Sequence, residues 1–182
     1  MLHAGGVRFE VLVSPYSLGC TVEEQLVSAS SLEELKHIDA KGKIMLLYGE
    51  IAKEQLMPKN FVFFNPEAHK RIISLLEQTR PKAIITATGR NAALAGGVYP
   101  FPLIEDGDFD IPSVYMTEDE GRKLLPYVGK TVALHSLSKR LPQKGSNVIA
   151  RKGEIQPNEL SLRPILTRRK GRQALLTMQP EL

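Results

Sequence analysis

A chain of 182 residues with 42% hydrophobic and 24% charged side chains has the composition of an ordinary globular protein, and it is long enough to bury a core as one domain. No apolar run approaches the roughly 18 residues of a membrane helix, and the N-terminal stretch lacks the basic-then-apolar order of a signal peptide. As written, the chain is therefore expected to be cytoplasmic, with no membrane partner. The net charge of +4 is misplaced: the tail 160–182 carries Arg163, Arg168, Arg169, Lys170 and Arg172 against Glu181 alone, so the rest of the chain is electrically balanced. A single cysteine, Cys20, excludes an internal disulfide and an all-cysteine zinc site, and reads as a small buried or half-buried residue.

In chain order, Phe9–Val13 partly alternates and predicts a strand. A turn at Ser14-Pro15-Tyr16-Ser17 follows, then a second strand at Val22–Ser28. Ser31-Leu32-Glu33-Glu34 has the spacing of a capping box, so a helical turn is expected to about His37, itself read as solvated. Gly42–Gly49 holds an uninterrupted apolar run, Ile44 to Tyr48. Such a run is too short for a buried helix and reads as a strand covered on both faces. Ala83–Ala87 and Thr131–Leu134 are runs of the same kind, and the three are expected at the centre of one sheet. Phe61-Val62-Phe63-Phe64 reads as a short strand or a plug beneath that sheet.

Asn65-Pro66-Glu67 predicts a helix start with Asn65 as the cap and Ala68, Ile72, Leu75 and Leu76 on the buried face. Arg80-Pro81 stops that helix. The resulting strand–helix–strand unit favours a parallel crossover. Residues 88–113 are rich in glycine and proline and predict a long irregular loop, functional or flexible. Its Asp106, Asp108 and Asp110 have the early spacing of a calcium loop, but Ile111 and Thr117 stand where glycine and glutamate are needed, so a solvated acidic loop is expected. Ile111–Met116 predicts a strand, and Thr117-Glu118-Asp119-Glu120 a capped helix over 118–125. His135 and Ser136 are neighbours on the last strand, so they face opposite ways and cannot form a nucleophile–base pair; His135 reads as half-buried and structural.

Three features together resemble the protease-associated domain. Ala40-Lys41-Gly42-Lys43-Ile44 enters a buried strand; a helix leads into Lys82-Ala83-Ile84-Ile85; and Ile111-Pro112-Ser113-Val114 is backed by a capped helix. The match spans about 20–138, with Arg80-Pro81 replacing the usual Gly-Ala. Gly145-Ser146-Asn147-Val148-Ile149-Ala150 is similar to the segment by which a co-catalytic two-zinc aminopeptidase resumes its catalytic sheet after such an insertion. The resemblance implies a mixed, β-rich α/β sheet or barrel of about seven strands with two or three short helices, followed by a non-native or disordered tail. It divides the chain into a lead-in strand at 1–19 from a truncated catalytic domain, a protease-associated domain at 20–140, a linker and start of the peptidase domain at 141–159, and the basic tail at 160–182.

In that family a His-x-Asp strand and a Pro-Gly-Ala-x-Asp-Asn segment should come next, supplying metal ligands. This chain has neither. Read one base out of phase, with permitted synonymous codons, residues 160–181 spell IVVTAHIDAKKGTPGALDNATG, in which both motifs occur. The expectation is a frameshifted tail; the compositional alternative is a disordered basic segment.

The functional expectation is a non-catalytic lid, substrate-access or protein-interaction module, with no catalytic or metal residue and no cofactor of its own, zinc belonging to the parent family. Tyr99 and Phe101 are the candidate binding residues. The expected partners are a peptide or protein substrate and a catalytic domain. One alternative is an active metallo-aminopeptidase complemented by a second chain. Nucleic-acid binding through the tail ranks last, because the tail has no aromatic side chain for stacking.

Overall fold

The computed structural model describes residues 1–89 and 100–141 with their side chains, and the backbone of 147–148, 163–168 and 174–179. The chain forms two units, Met1–Arg140 and Leu141–Leu182. In the second, β10 (Arg163–Arg168) pairs antiparallel with β11 (Ala174–Gln179) and with β9 (Asn147–Val148). The rest of the expected linker and tail lies outside the described residues.

Among its described residues the first unit is a mixed α/β layer of one eight-stranded sheet and three α-helices. Its strands are β1 (Leu2–Ala4), β2 (Val7–Phe9), β3 (Leu12–Val13), β4 (Cys20–Ala29), β5 (Ile44–Leu47), β6 (Ala83–Thr88), β7 (Ser113–Thr117) and β8 (Thr131–Ser136). They lie in the order β2-β1-β8-β4-β5-β6-β7-β3. The run β4-β5-β6-β7 is parallel, and every other pairing is antiparallel. The helices are α1 (Leu32–His37), α2 (Glu67–Thr79) and α3 (Glu118–Leu124). The crossover β5–α2–β6 follows the predicted parallel pattern, and β4–α1–β5, for which none was predicted, repeats it.

Uninterrupted apolar runs become doubly covered strands because both faces of the sheet meet a core. Ile44 and Leu46 point into one cluster with Leu2, Phe9, Ile85, Met116 and Leu134. Met45 and Leu47 point into the other with Leu35, Ile73, Leu76, Ile84 and Phe109. Every residue of β5 and β6 is buried. β8 differs from expectation: β4 separates it from β5, and it alternates exposed with buried positions. Its sequence, Thr-Val-Ala-Leu-His-Ser, already carries that alternation.

The predicted strand Phe9–Val13 is two strands on opposite edges of the sheet. Phe9 pairs with Leu2, whereas Leu12 pairs with Tyr115. Only three Cα steps separate Phe9 from Leu12, so the two edges approach within about 11 Å. The sheet is therefore curled into an open barrel, joined across the gap by the chain itself and not by a ladder of hydrogen bonds. β1 had no counterpart in the sequence reading. Its hairpin to β2 turns through Gly5 and Gly6, at φ +54° and +81°, the left-handed pair a two-residue turn requires. Residues 1–19, expected as a lead-in from another domain, contribute three strands to this same unit.

The caps follow local chemistry. Ser31 Oγ accepts from Glu34 N–H and Thr117 Oγ1 from Glu120 N–H, as their capping-box spacing predicts. The Glu34 carboxylate in turn accepts from Ser30, from its main-chain N–H at 2.6 Å and its hydroxyl at 2.9 Å. These bonds hold the carboxyl below its ordinary value of 4.5, the main-chain bond contributing most. A depressed carboxyl stabilises the fold fully above its unfolded value, and that contribution is lost as pH falls through the folded one. The melting temperature of Glu34→Gln is therefore expected to lie below that of the native protein at neutral pH, with the gap closing in acid. A gap that is constant from neutral pH to pH 3 would contradict the assignment.

For α2 the predicted cap is replaced by its neighbour. Pro66 occupies the N-cap position, because the Asn65 amide donates to Pro58 O and Lys59 O and closes the loop before the helix. The buried face is also rotated by one residue. His69, Ile73 and Leu76 are buried and Ala68 is exposed, since the His69 ring, not the small Ala68, fills the space under the preceding loop. Arg80 ends the helix in the left-handed region at φ +50°.

Candidate binding groove

The gap where the two sheet edges meet is a groove of about 1070 Å³. One wall is the extended segment from Val7 to Leu12, the other is the end of β7 with α3, and Tyr127 lies among the residues between. Its apolar lining comes from Val7, Phe9, Val11, Met116 and Tyr127. Phe9 stacks edge-on against Tyr127 at 5.9 Å between ring centres. Its charged lining is Arg8 and Glu10 on one wall and Glu120 and Lys123 on α3. Glu120 and Lys123 pair at 2.6 Å, which raises the Lys123 ammonium above its ordinary value, chiefly through the hydrogen bond. Tyr115 also lines the groove; partial burial first and the Glu105 carboxylate second raise its phenol, so the hydroxyl stays protonated at neutral pH.

Of the two candidate residues from the sequence, Tyr99 lies outside the described residues. Phe101 is half-buried, and its carbonyl accepts from Thr88 Oγ1 at 2.8 Å. It does not line the groove; its neighbour Pro100 does. The groove residues were missed because they come from segments far apart in the chain. The available signal was the Gly5-Gly6 hairpin, which places Val7–Leu12 at a sheet edge.

The acidic segment is the expected solvated loop only in part: Asp108 and Asp110 are exposed, but Asp106 is buried. Asp106 is only 5% exposed. Its carboxylate accepts from the main-chain N–H of Lys59 and of Asp108, each at 2.9 Å. Asp108 accepts from the Asn60 amide at 2.7 Å and Glu105 from the Gln55 amide at 2.7 Å. Asp110 pairs with Arg140 at 2.7 Å. The carboxylates of Glu105, Asp106 and Asp108 fasten the segment 55–60 to the body. The run Phe61–Phe64 then projects from that fastened segment, with Val62 84% and Phe63 65% exposed. It is neither a strand nor a plug.

The histidines serve separate elements. His3 and His37 are exposed. His69 is buried, and its Nδ1 accepts from Met57 N–H at 3.1 Å, so the proton sits on Nε2, which faces Glu54 at 3.3 Å. His135 is exposed, not half-buried as expected, and its Nδ1 meets Thr21 Oγ1 at 2.8 Å. Ser136 faces the opposite way and bonds Cys20, which is half-buried. Among the described residues no three His, Cys, Asp or Glu side chains are grouped so as to hold a metal ion. These residues do not fit a zinc centre.

No family model matches this chain, and no curated protein matches it. Solved structures do. An aminopeptidase from Aneurinibacillus sp. strain AM-1 is 21% identical with a TM-score of 0.48, over 72% of this chain and 28% of that one. The psychrophilic subtilisin-like protease Apa1 from the Antarctic psychrotroph Pseudoalteromonas sp. AS-11 is 17% identical with a TM-score of 0.46, over 74% of this chain and 31% of that one. The chain thus spans less than a third of either neighbour. At that identity and TM-score neither activity transfers to this chain.

Proposed function

We propose that residues 1–140 form a non-catalytic module of the protease-associated type, binding peptide or protein at the entrance of a zinc-dependent aminopeptidase. The observation that carries the proposal is the groove at the open seam of the sheet. It combines an apolar floor with charges of both signs on its walls, and among the described residues its lining contains no histidine, cysteine or aspartate. That is a surface for holding a chain, with neither a nucleophile–base pair nor a ligand set for a metal-bound water. The residue pattern that resembles the protease-associated domain supports the same reading. In this proposal the catalytic zinc belongs to another polypeptide segment, and residues 160–182 are an out-of-frame reading of the strand that would have held it.

The test is direct. The full chain, supplied with zinc, is expected to bind unstructured peptides saturably while failing to hydrolyse aminoacyl-nitroanilides and failing to retain stoichiometric metal after gel filtration. Retained zinc with turnover would replace this reading by an active aminopeptidase. The coding DNA tests the tail separately: codons that do not yield His-x-Asp in the shifted phase would remove the frameshift.

A further inference from the structure

We propose that the groove takes an extended polypeptide by strand addition across the open seam, and selects a segment carrying one acidic and one basic side chain two positions apart. The inference rests on the binding reading above and specifies its ligand.

The hydrogen-bond register identifies the free main-chain groups. Met1 and His135 exchange both main-chain bonds, at 2.6 and 2.9 Å. Alternation along an antiparallel ladder then turns His3 toward β8, and turns Leu2 and Ala4 toward β2. Their partners Phe9 and Val7 therefore face β1, and the N–H and C=O of Arg8 face outward. On the other wall, Ser14 N–H donates to Ser113 O at 3.1 Å, which turns Ser113, Tyr115 and Thr117 toward β3. β3 covers Tyr115 but ends before it reaches Thr117. Among the described residues, the N–H and C=O of Arg8 and the N–H of Thr117 thus face the groove without a main-chain partner, the Thr117 carbonyl being, at the N-cap, the first acceptor of α3. Unpaired strand edges are templates for a further strand.

Charge complementarity specifies the occupant. Glu120 and Lys123 neutralise each other. Arg8 and Glu10 are exposed, flank the buried Phe9, and make no ion pair among the described residues. An added strand repeats its side chains on one face every second residue. A carboxylate opposite Arg8 therefore places a cation opposite Glu10. The groove volume, about 1070 Å³, is at the upper end of ligand pockets and suits a short peptide.

The experiment measures fluorescence anisotropy of labelled hexapeptides with the full chain. One peptide carries an acid-x-base core and the other a base-x-acid core between valines, and each is also made with N-methylated core amides. One order is expected to bind at least about tenfold tighter than the other, and N-methylation to abolish that binding. The double variant Arg8→Glu, Glu10→Arg is expected to reverse the preferred order with an unchanged melting temperature, since both side chains are exposed. Binding indifferent to N-methylation and to the charge swap would overturn strand addition while leaving a peptide-binding module. No binding of any peptide at millimolar concentration would overturn both readings.

Discussion

Replacing Gly121 by alanine is expected to destabilise the protein by about 2 kcal/mol, although alanine is the better helix former by about 1 kcal/mol. Gly121 is buried on the inner face of α3, where that helix crosses the central strand β6. A Cβ built there would lie 2.2 Å from the Cβ of Ala87. That neighbour is held on a strand paired on both sides, so the helix must shift instead. Overpacking of a rigid core costs about 1–3 kcal/mol even for one methyl group. The backbone here is ordinary helix, so the penalty is steric and not conformational. Urea unfolding of Gly121→Ala, of Ala87→Gly and of the pair provides the check. The pair is expected to be more stable than the sum of its single changes predicts, by about 1–2 kcal/mol. Gly121→Ala melting above the native protein would show that α3 floats on the sheet. Because α3 carries Glu120 and Lys123, the same shift would move one wall of the groove.

Asp106→Ala is expected to cost about 2–4 kcal/mol, the largest effect of removing a charged side chain from the described body. Two main-chain N–H groups, of Lys59 and Asp108, lose their acceptor at a site nearly closed to water. Each donor left unpaired costs about 1–3 kcal/mol where it is buried, less where water reaches it. Asp106→Asn keeps one carbonyl oxygen and is expected to recover about half the loss. The segment carrying Phe61–Phe64 should then exchange its amide hydrogens faster in the alanine variant, because its tie to the body is gone. Equal stability of Asp106→Ala and the native protein would show that the carboxylate has no structural role.

Glu34 and Asp106 show why some acids were legible in the chain and others were not. Glu34 sits in a local motif, and its partners are neighbours in sequence. Asp106 accepts from Lys59, which comes from another loop, 47 positions away. Its spacing with Asp108 and Asp110 suggested only the alternatives of a metal loop or a solvated one.

Much of the architecture follows from short-range chemistry alone. Apolar runs such as Ile44–Leu47 and Ala83–Ala87 must be strands covered on both faces, and Ser31 and Thr117 must cap helices. The crossover joining the central strands must be parallel, because a helix lies between them. These are properties of consecutive residues, so they survive without a partner. Which strands sit at the edges is different in kind. Phe9 and Leu12 belong to one continuous stretch, yet they pair with Leu2 and Tyr115 on opposite sides of the sheet. Only the closing of the curled sheet decides that, and with it the groove, its free main-chain groups and its charges. Tertiary pairing made the site because hydrogen-bond register and burial are set by distant partners, which no local pattern encodes.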